Sequence, residues 1–228
     1  MALILNIDTS IETADVFLAK DGILLMSESN SEPKNHGSFL QFAIQKILSE
    51  TNTPLKALDA IAVTNGPGSY TGLRVGMASA KGLCFSLNKP IITISTLEVL
   101  ASSIKSQFIL NNDYLFCPLI DARRMEVFTA LYNFNIEPIL PPQSMILDEN
   151  SFANQLESKV IVFAGNGSAK LKEVLNHPNA LFVSLEPTAK IASMITISEG
   201  KYLIKNFDNL AYSEPFYIKD VFFAEKSK

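Results

Sequence analysis

One short pattern occurs twice in this chain. Residues 6–19 read "NIDTSIETADVFLA" and residues 119–130 read "LIDARRMEVFTA". In each, an apolar strand ends in an aspartate, a polar turn follows, and an acidic residue leads into Val-Phe. The two aspartates, Asp8 and Asp121, stand almost half the chain apart. Self-similarity at that spacing makes the chain two related units rather than one long arrangement, so it comes before any single residue. We read it as a diverged duplication, with one unit over 1–110 and a second over 111–228 whose final segment packs on the first.

Local patterning fills in the units. Residues 3–7 form an apolar strand, 14–20 and 23–29 are strand-like around the hairpin signal Asp21-Gly22, and 38–48 switches to helical period. A buried strand at 59–64, a helix at 71–87, a strand at 90–95 and a helix at 96–107 complete the first unit. The second opens with strands at 115–121 and 125–134, and the Pro-interrupted stretch 137–145 suits a sheet edge or a loop. A helix at 150–156, a strand at 159–168 running into a glycine turn, a helix at 169–176, a strand at 180–185 and a long helix at 188–206 follow. The aromatic tail 215–223 is expected to be tied down. Strands and helices in this order make a mixed sheet with helices on its faces, an α/β fold.

"NGPGSYTGLRVG", residues 65–76, looks like a phosphate-holding turn, but neither standard fingerprint is there. A P-loop ends in Gly-Lys-Ser/Thr, whereas Gly72 is followed by Leu73-Arg74. The spacing of Gly66, Gly68 and Gly72 also fails the dinucleotide pattern. What remains is the general capacity of a helix start to hold an anion. The helix itself says more. Gly72, Gly76 and Gly82 each cost a helix interior about 1 kcal/mol relative to alanine, so something must offset them. Gly72, Gly76, Ala80 and Cys84 recur every four residues as a stripe of small side chains. Such a stripe lets another backbone come close, either within the chain or on a partner subunit.

Composition narrows the partners. The net charge is −4 and there are only three arginines, Arg74, Arg123 and Arg124. A chain that gripped a polyanion alone would show a basic face, so this one is a poor stand-alone nucleic-acid binder. Cys84 and Cys117 have no metal or redox spacing and suit a reducing compartment. The N-terminus has no basic region of a secretory signal, and no apolar run reaches membrane-spanning length. A cytoplasmic location without membrane contact is expected.

Catalytic groups are scarce. His36 falls near a helix start and His177 precedes Pro178 in a polar turn, neither beside a cluster with metal spacing. No catalytic and no metal-ligating residue is assigned. Asp8 and Asp121, ending their strands, are candidates for phosphate or metal work or simply cap their own turns. With Thr9, Ser10, Gly165 and Gly167 they outline a vestigial phosphate or nucleotide site. Weak nucleotide binding there is compatible with no resident cofactor.

"ILNIDTS", "NGPGSYTGLRVGMASAKGL", "ISTLEVLA" and "PLIDARRMEVF" together resemble the TsaB (YeaZ) family across the whole chain. That resemblance implies a duplicated actin-like ATPase fold, of the acetate and sugar kinase–Hsp70–actin, RNase H-like type, with two similar subdomains. It also implies a role as the dimerisation subunit in tRNA threonylcarbamoyladenosine synthesis. The catalytic relative TsaD carries a stretch His-x-Glu-x-His. The matching stretch here is Thr96-Leu97-Glu98-Val99-Leu100, without either imidazole. The resemblance therefore implies a non-catalytic subunit that pairs with TsaD, alongside the ATPase TsaE, and forms a homodimer when alone. It meets tRNA only through the complex. In this family the first-half helices form the dimer surface, which implicates His36, Phe39, Leu40, Ala43, Gly72, Gly76 and Ala80. Two other readings are an ATP-dependent small-molecule phosphotransferase using Asp8 and Asp121, and a metallopeptidase, which the missing ligands disfavour.

Overall fold

A computed structural model describes residues 2–32, 36–108 and 113–219. The first unit contains β1 (Leu3–Asp8), β2 (Ala14–Lys20), β3 (Ile23–Asn30), α1 (His36–Glu50), β4 (Ala60–Gly66), α2 (Tyr70–Leu87), β5 (Ile91–Ser95) and α3 (Thr96–Gln107). The second contains β6 (Tyr114–Asp121), β7 (Glu126–Tyr132), β8 (Pro138–Ile146), α4 (Ala153–Leu156), β9 (Val160–Ala164), α5 (Ser168–Val174), β10 (Ala180–Phe182) and α6 (Pro187–Leu203). The sheets run β3-β2-β1-β4-β5 and β8-β7-β6-β9-β10. In both, an antiparallel meander of three strands continues into two parallel strands. The duplicated pattern thus folds into the same topology twice.

The alternation of side chains along each strand builds the layers. Leu5, Ile7, Val16, Leu18, Ile61 and Val63 point to one face of the first sheet and pack against α1 and α2. Ile4, Phe17, Ala60 and Ala62 point to the other, where α6 returns from the second unit with Ile191, Met194 and Ile195. Helix α3 covers one face of the second sheet, setting Leu97, Leu100 and Ile104 against Phe116, Ile120 and Val162. Helices α4 and α5 cover its opposite face. Each fully buried Leu, Ile or Phe contributes about 1.5–3 kcal/mol, which is why the continuous apolar runs of β1, β4 and β6 become central strands.

Helix boundaries follow local chemistry. Ser69 caps α2, its Oγ accepting from the Gly72 amide at 3.2 Å, and Asn88 ends the helix in the left-handed conformation. Pro187 opens α6, where the missing N–H costs nothing. The Pro-containing stretch forms β8 at a sheet edge. The helix read at 150–156 is a single turn, because Phe152 takes a left-handed conformation before it. Strand β10 stops at Phe182, short of the expected 185. Within the tail, Phe216 donates its amide to the Asn65 carbonyl at 2.7 Å and Tyr217 lies against Tyr70, with ring centres 5.2 Å apart. Residues 220–223 of that tail lie outside the described residues. Among the described residues, no helix is long and apolar enough to cross a membrane.

Candidate functional site

The repeated turns after β1 and β6 face each other across a cleft of about 560 Å³ between the two units. Ser10, Glu12, Asp121, Arg123 and Asn166 line it, and Tyr70 at the start of α2 closes one side. Asn166, in the glycine turn after β9, joins the two hairpins. Its Oδ1 accepts from the Asp121 amide at 2.9 Å and its Nδ2 donates to Glu12 Oε1 at 2.6 Å.

Asp8 is buried and fully engaged. Its Oδ1 accepts from the Ser10 amide at 3.0 Å, the Ser10 hydroxyl at 2.6 Å and the Thr64 hydroxyl at 2.8 Å. Its Oδ2 lies 3.1 Å from Lys190 Nζ, which also meets Asp15 Oδ2 at 2.5 Å. Burial on its own would raise the Asp8 carboxyl. The Lys190 ammonium, with the bonds from Ser10 and Thr64, outweighs it and holds the group below its ordinary value. Burial likewise opposes the Lys190 charge, and Asp8 and Asp15 more than compensate, raising its pKa.

The second unit repeats the arrangement in the open. Asp121 is exposed, pairs with Lys170 Nζ at 2.8 Å, and accepts from the Arg123 amide at 2.6 Å. Burial is again opposed and outweighed, by the Lys170 bond first and the Arg123 amide next, so this carboxyl also lies below its ordinary value. Both strand-ending aspartates therefore cap their own turns and each is paired with a lysine of the same chain. Arg123 and Arg124 take left-handed conformations that complete the hairpin, with φ of 69° and 48°.

The glycines explain how closely the turns are clasped. A Cβ on Gly68 would strike the Ser10 carbonyl, and one on Gly72 the Thr9 carbonyl. Ser69 donates its amide to the Ser10 carbonyl at 2.7 Å, and Thr9 Oγ1 donates to the Gly72 carbonyl at 2.7 Å. A Cβ on Gly76 would meet Thr9 Oγ1. In the second unit, Gly165 and Gly167 press against Leu119 and Val127 in the same manner. These glycines make room for the protein's own backbone, and the first turn has its anion-facing side partly filled by Thr9 and Ser10.

Most residues expected at the partner surface face inward in the single chain. Leu40, Ala43, Gly72, Gly76 and Ala80 are all buried within the chain, and Leu40, Ala43 and Ala80 lie in the core beneath α1 and α2. Phe39 is half-buried against that core, and the His36 side chain lies outside the described residues. At Gly72 and Gly76 the small-residue stripe is occupied by Thr9, and its Ala80 and Cys84 lie in the core. What α1 and α2 present outward includes Phe42, 62% exposed, and Phe85, 83% exposed. Of the stretch matching His-x-Glu-x-His, Thr96 and Leu100 are buried, Leu100 in the core between α3 and the second sheet.

Sequence reasoning missed Lys190, Lys170 and Asn166. A signal existed for Lys190: it sits on the apolar face of α6, beside Ile191 and four residues before Met194, where a charge needs a buried partner.

Residues 29–217 match the family described as "TsaD: tRNA N6-adenosine threonylcarbamoyltransferase". The chain is 31% identical over 175 residues to "tRNA threonylcarbamoyladenosine biosynthesis protein TsaB" of Bacillus subtilis (strain 168), covering 75% of this chain and 74% of that protein. It is 26% identical to "tRNA N6-adenosine threonylcarbamoyltransferase" of Brachyspira hyodysenteriae, covering 98% of this chain and 76% of that one. Among solved structures, YeaZ from Pseudomonas aeruginosa superposes with a TM-score of 0.75 at 26% identity, covering 95% of this chain and all of that one.

Proposed function

The chain belongs to the TsaB (YeaZ) family, and we propose on that premise that it is a non-catalytic subunit in tRNA threonylcarbamoyladenosine biosynthesis. In this reading it pairs with TsaD and supports the transfer of a threonylcarbamoyl group from its adenylate to N6 of the adenosine beside the anticodon, in tRNAs reading ANN codons. TsaD performs the transfer and TsaE is the ATPase partner. The chain meets tRNA through the complex, works in the cytoplasm, and forms a homodimer when alone.

The observation that carries the non-catalytic part is the pairing of Asp8 with Lys190 and of Asp121 with Lys170. An actin-like fold implies a magnesium nucleotide held between the units. A carboxylate that is to orient such a cation needs free oxygens facing the cleft. Here Asp8 is 1% exposed with both oxygens engaged, and Asp121 is already balanced by a lysine. These residues do not fit the nucleotide, so the phosphotransferase reading is disfavoured. Docking then falls to the outer face of α1 and α2 with Phe42 and Phe85, aromatic anchors of the kind that dominate interfaces.

Calorimetric titration tests the proposal. The purified chain is expected to bind TsaD and to show neither tight Mg-ATP binding nor turnover. Turnover by the chain alone, or failure to associate with TsaD, contradicts it.

A further inference from the structure

The chain that follows α6 runs back beside α2 and is held at several points. Asp208 bridges antiparallel to Ile91, and its carboxylate accepts from the Thr93 amide at 2.7 Å. Leu210 packs on the core beneath α1 and α2. Lys81 Nζ donates to the carbonyls of Ala211 and Ser213, at 3.1 and 2.8 Å. Gly66 leaves room for the Phe216 carbonyl, which a Cβ there would strike. Arg74 Nε donates to the Tyr217 hydroxyl at 3.1 Å, while its guanidinium carbon lies 4.1 Å from the centre of the Tyr70 ring. Lys219 then pairs with Glu126 at the start of β7.

Arg74, Lys81 and Phe85 share one stripe of α2, since helical neighbours recur every three or four residues. The first two hold the tail. Tyr212 lies between the two carbonyls that Lys81 binds, one helical turn from Phe85, and both rings are 83% exposed. A large aromatic side chain whose backbone is fixed on both sides, yet which buries little of itself, adds little to the fold. We propose that residues 208–219 are the second half of the docking surface, with Lys81 and Arg74 as positioning residues and Tyr212 as an anchor for TsaD beside Phe85. This rests on the reading of α1 and α2 as the docking face. The chemistry of the surface fits a protein partner. A phosphate backbone is gripped by free cations, whereas Lys81 is engaged by backbone carbonyls and Arg74 by two tyrosines. Exposed aromatic rings beside them suit an apolar protein face.

Four full-length variants test it: Tyr212→Ser, Lys81→Met, Lys81→Arg and, as the comparator, Phe85→Ser. Calorimetry reads the affinity for TsaD, and hydrogen exchange at the Phe216 amide reads whether the tail stays seated. Tyr212→Ser is expected to weaken TsaD binding about tenfold and to leave the Phe216 amide as protected as in the unaltered chain. Lys81→Met keeps the stem but loses the donors, so it is expected to weaken binding and speed that exchange together. Lys81→Arg, which can still reach both carbonyls, is expected to restore both. The proposal is overturned if Tyr212→Ser and Lys81→Met bind TsaD like the unaltered chain while Phe85→Ser does not, a result that leaves the α1 and α2 reading standing. If Phe85→Ser also binds normally, the docking reading and this proposal fall together. A Tyr212→Ser chain that binds TsaD normally, but whose complex with TsaD loses affinity for tRNA, overturns it in favour of a nucleic-acid surface.

Discussion

Two glycines ten residues apart on one helix should respond to the same substitution with opposite signs. At Gly82 an added Cβ meets nothing within 4 Å, so Gly82→Ala keeps only the gain in helix propensity and is expected to stabilise the chain by about 1 kcal/mol. Gly72→Ala gains the same propensity, but its Cβ runs into the Thr9 carbonyl, which belongs to backbone and cannot swing away. Relief requires the turn after β1 to move off α2. That overpacking costs about 1–3 kcal/mol, and the two bonds clasping the turn, Thr9 Oγ1 to Gly72 and Ser69 to Ser10, are worth about 1 kcal/mol each. After subtracting the propensity gain, the net loss is about 2–4 kcal/mol. Urea unfolding of the isolated chain and both variants gives the numbers directly. A loss under about 0.5 kcal/mol for Gly72→Ala would refute the reasoning, because the small-residue stripe would then not be filled from within the chain.

Further outcomes follow from the same geometry. The Asp8 carboxyl, held below its ordinary 3.8, supports folding fully above that value and loses this support as pH falls through its depressed folded value. Lys190, raised above 10.5, contributes fully below that pH and loses its contribution only as pH rises through a still higher value. Urea midpoints stepped down from neutral pH should therefore fall below about pH 4, and less steeply in Asp8→Asn. Burial pushes both Cys84 and Cys117 up to about 12, so a disulfide thiol reagent should label neither until the protein unfolds. Phe42→Ser and Phe85→Ser should change stability by less than about 0.5 kcal/mol, since both rings are exposed, yet weaken TsaD association at least tenfold, read by calorimetry.

What the sequence disclosed was local. The two hairpins were legible because an apolar strand, an aspartate and a polar turn sit within a dozen residues, and the pattern recurs. The glycine spacing on α2 correctly implied a close backbone neighbour. It did not say which, because that neighbour, Thr9, lies 63 positions away and its approach depends on the parallel pairing of β1 with β4. The partner surface expected from the family resemblance includes Leu40, Ala43, Gly72, Gly76 and Ala80, whose side chains or Cα positions the chain itself buries. Asp8 raised a similar difficulty. Its turn-capping role is a two-residue affair and was foreseeable, whereas its ion pair reaches across the whole chain to α6. Only the oddity of a lysine on the apolar face of that helix hinted at it.

The structure ties function to what is no longer free. Strand ends that could present carboxylates to a ligand present them to lysines, and helices that look open to a partner have their inner faces filled. In the proposed reading, docking falls to the outer face of α1 and α2, where Phe42 and Phe85 are exposed. Reconstituted threonylcarbamoyl transfer from the threonylcarbamoyl adenylate with TsaD and TsaE tests this most directly when three versions of the chain are added back: unaltered, Asp121→Asn/Lys170→Met in the cleft, and Phe42→Ser/Phe85→Ser on the helices. The account predicts no modification without the chain, full recovery with the unaltered and cleft versions, and little recovery with the helix version. A cleft version that associates with TsaD normally but fails to restore transfer would contradict it.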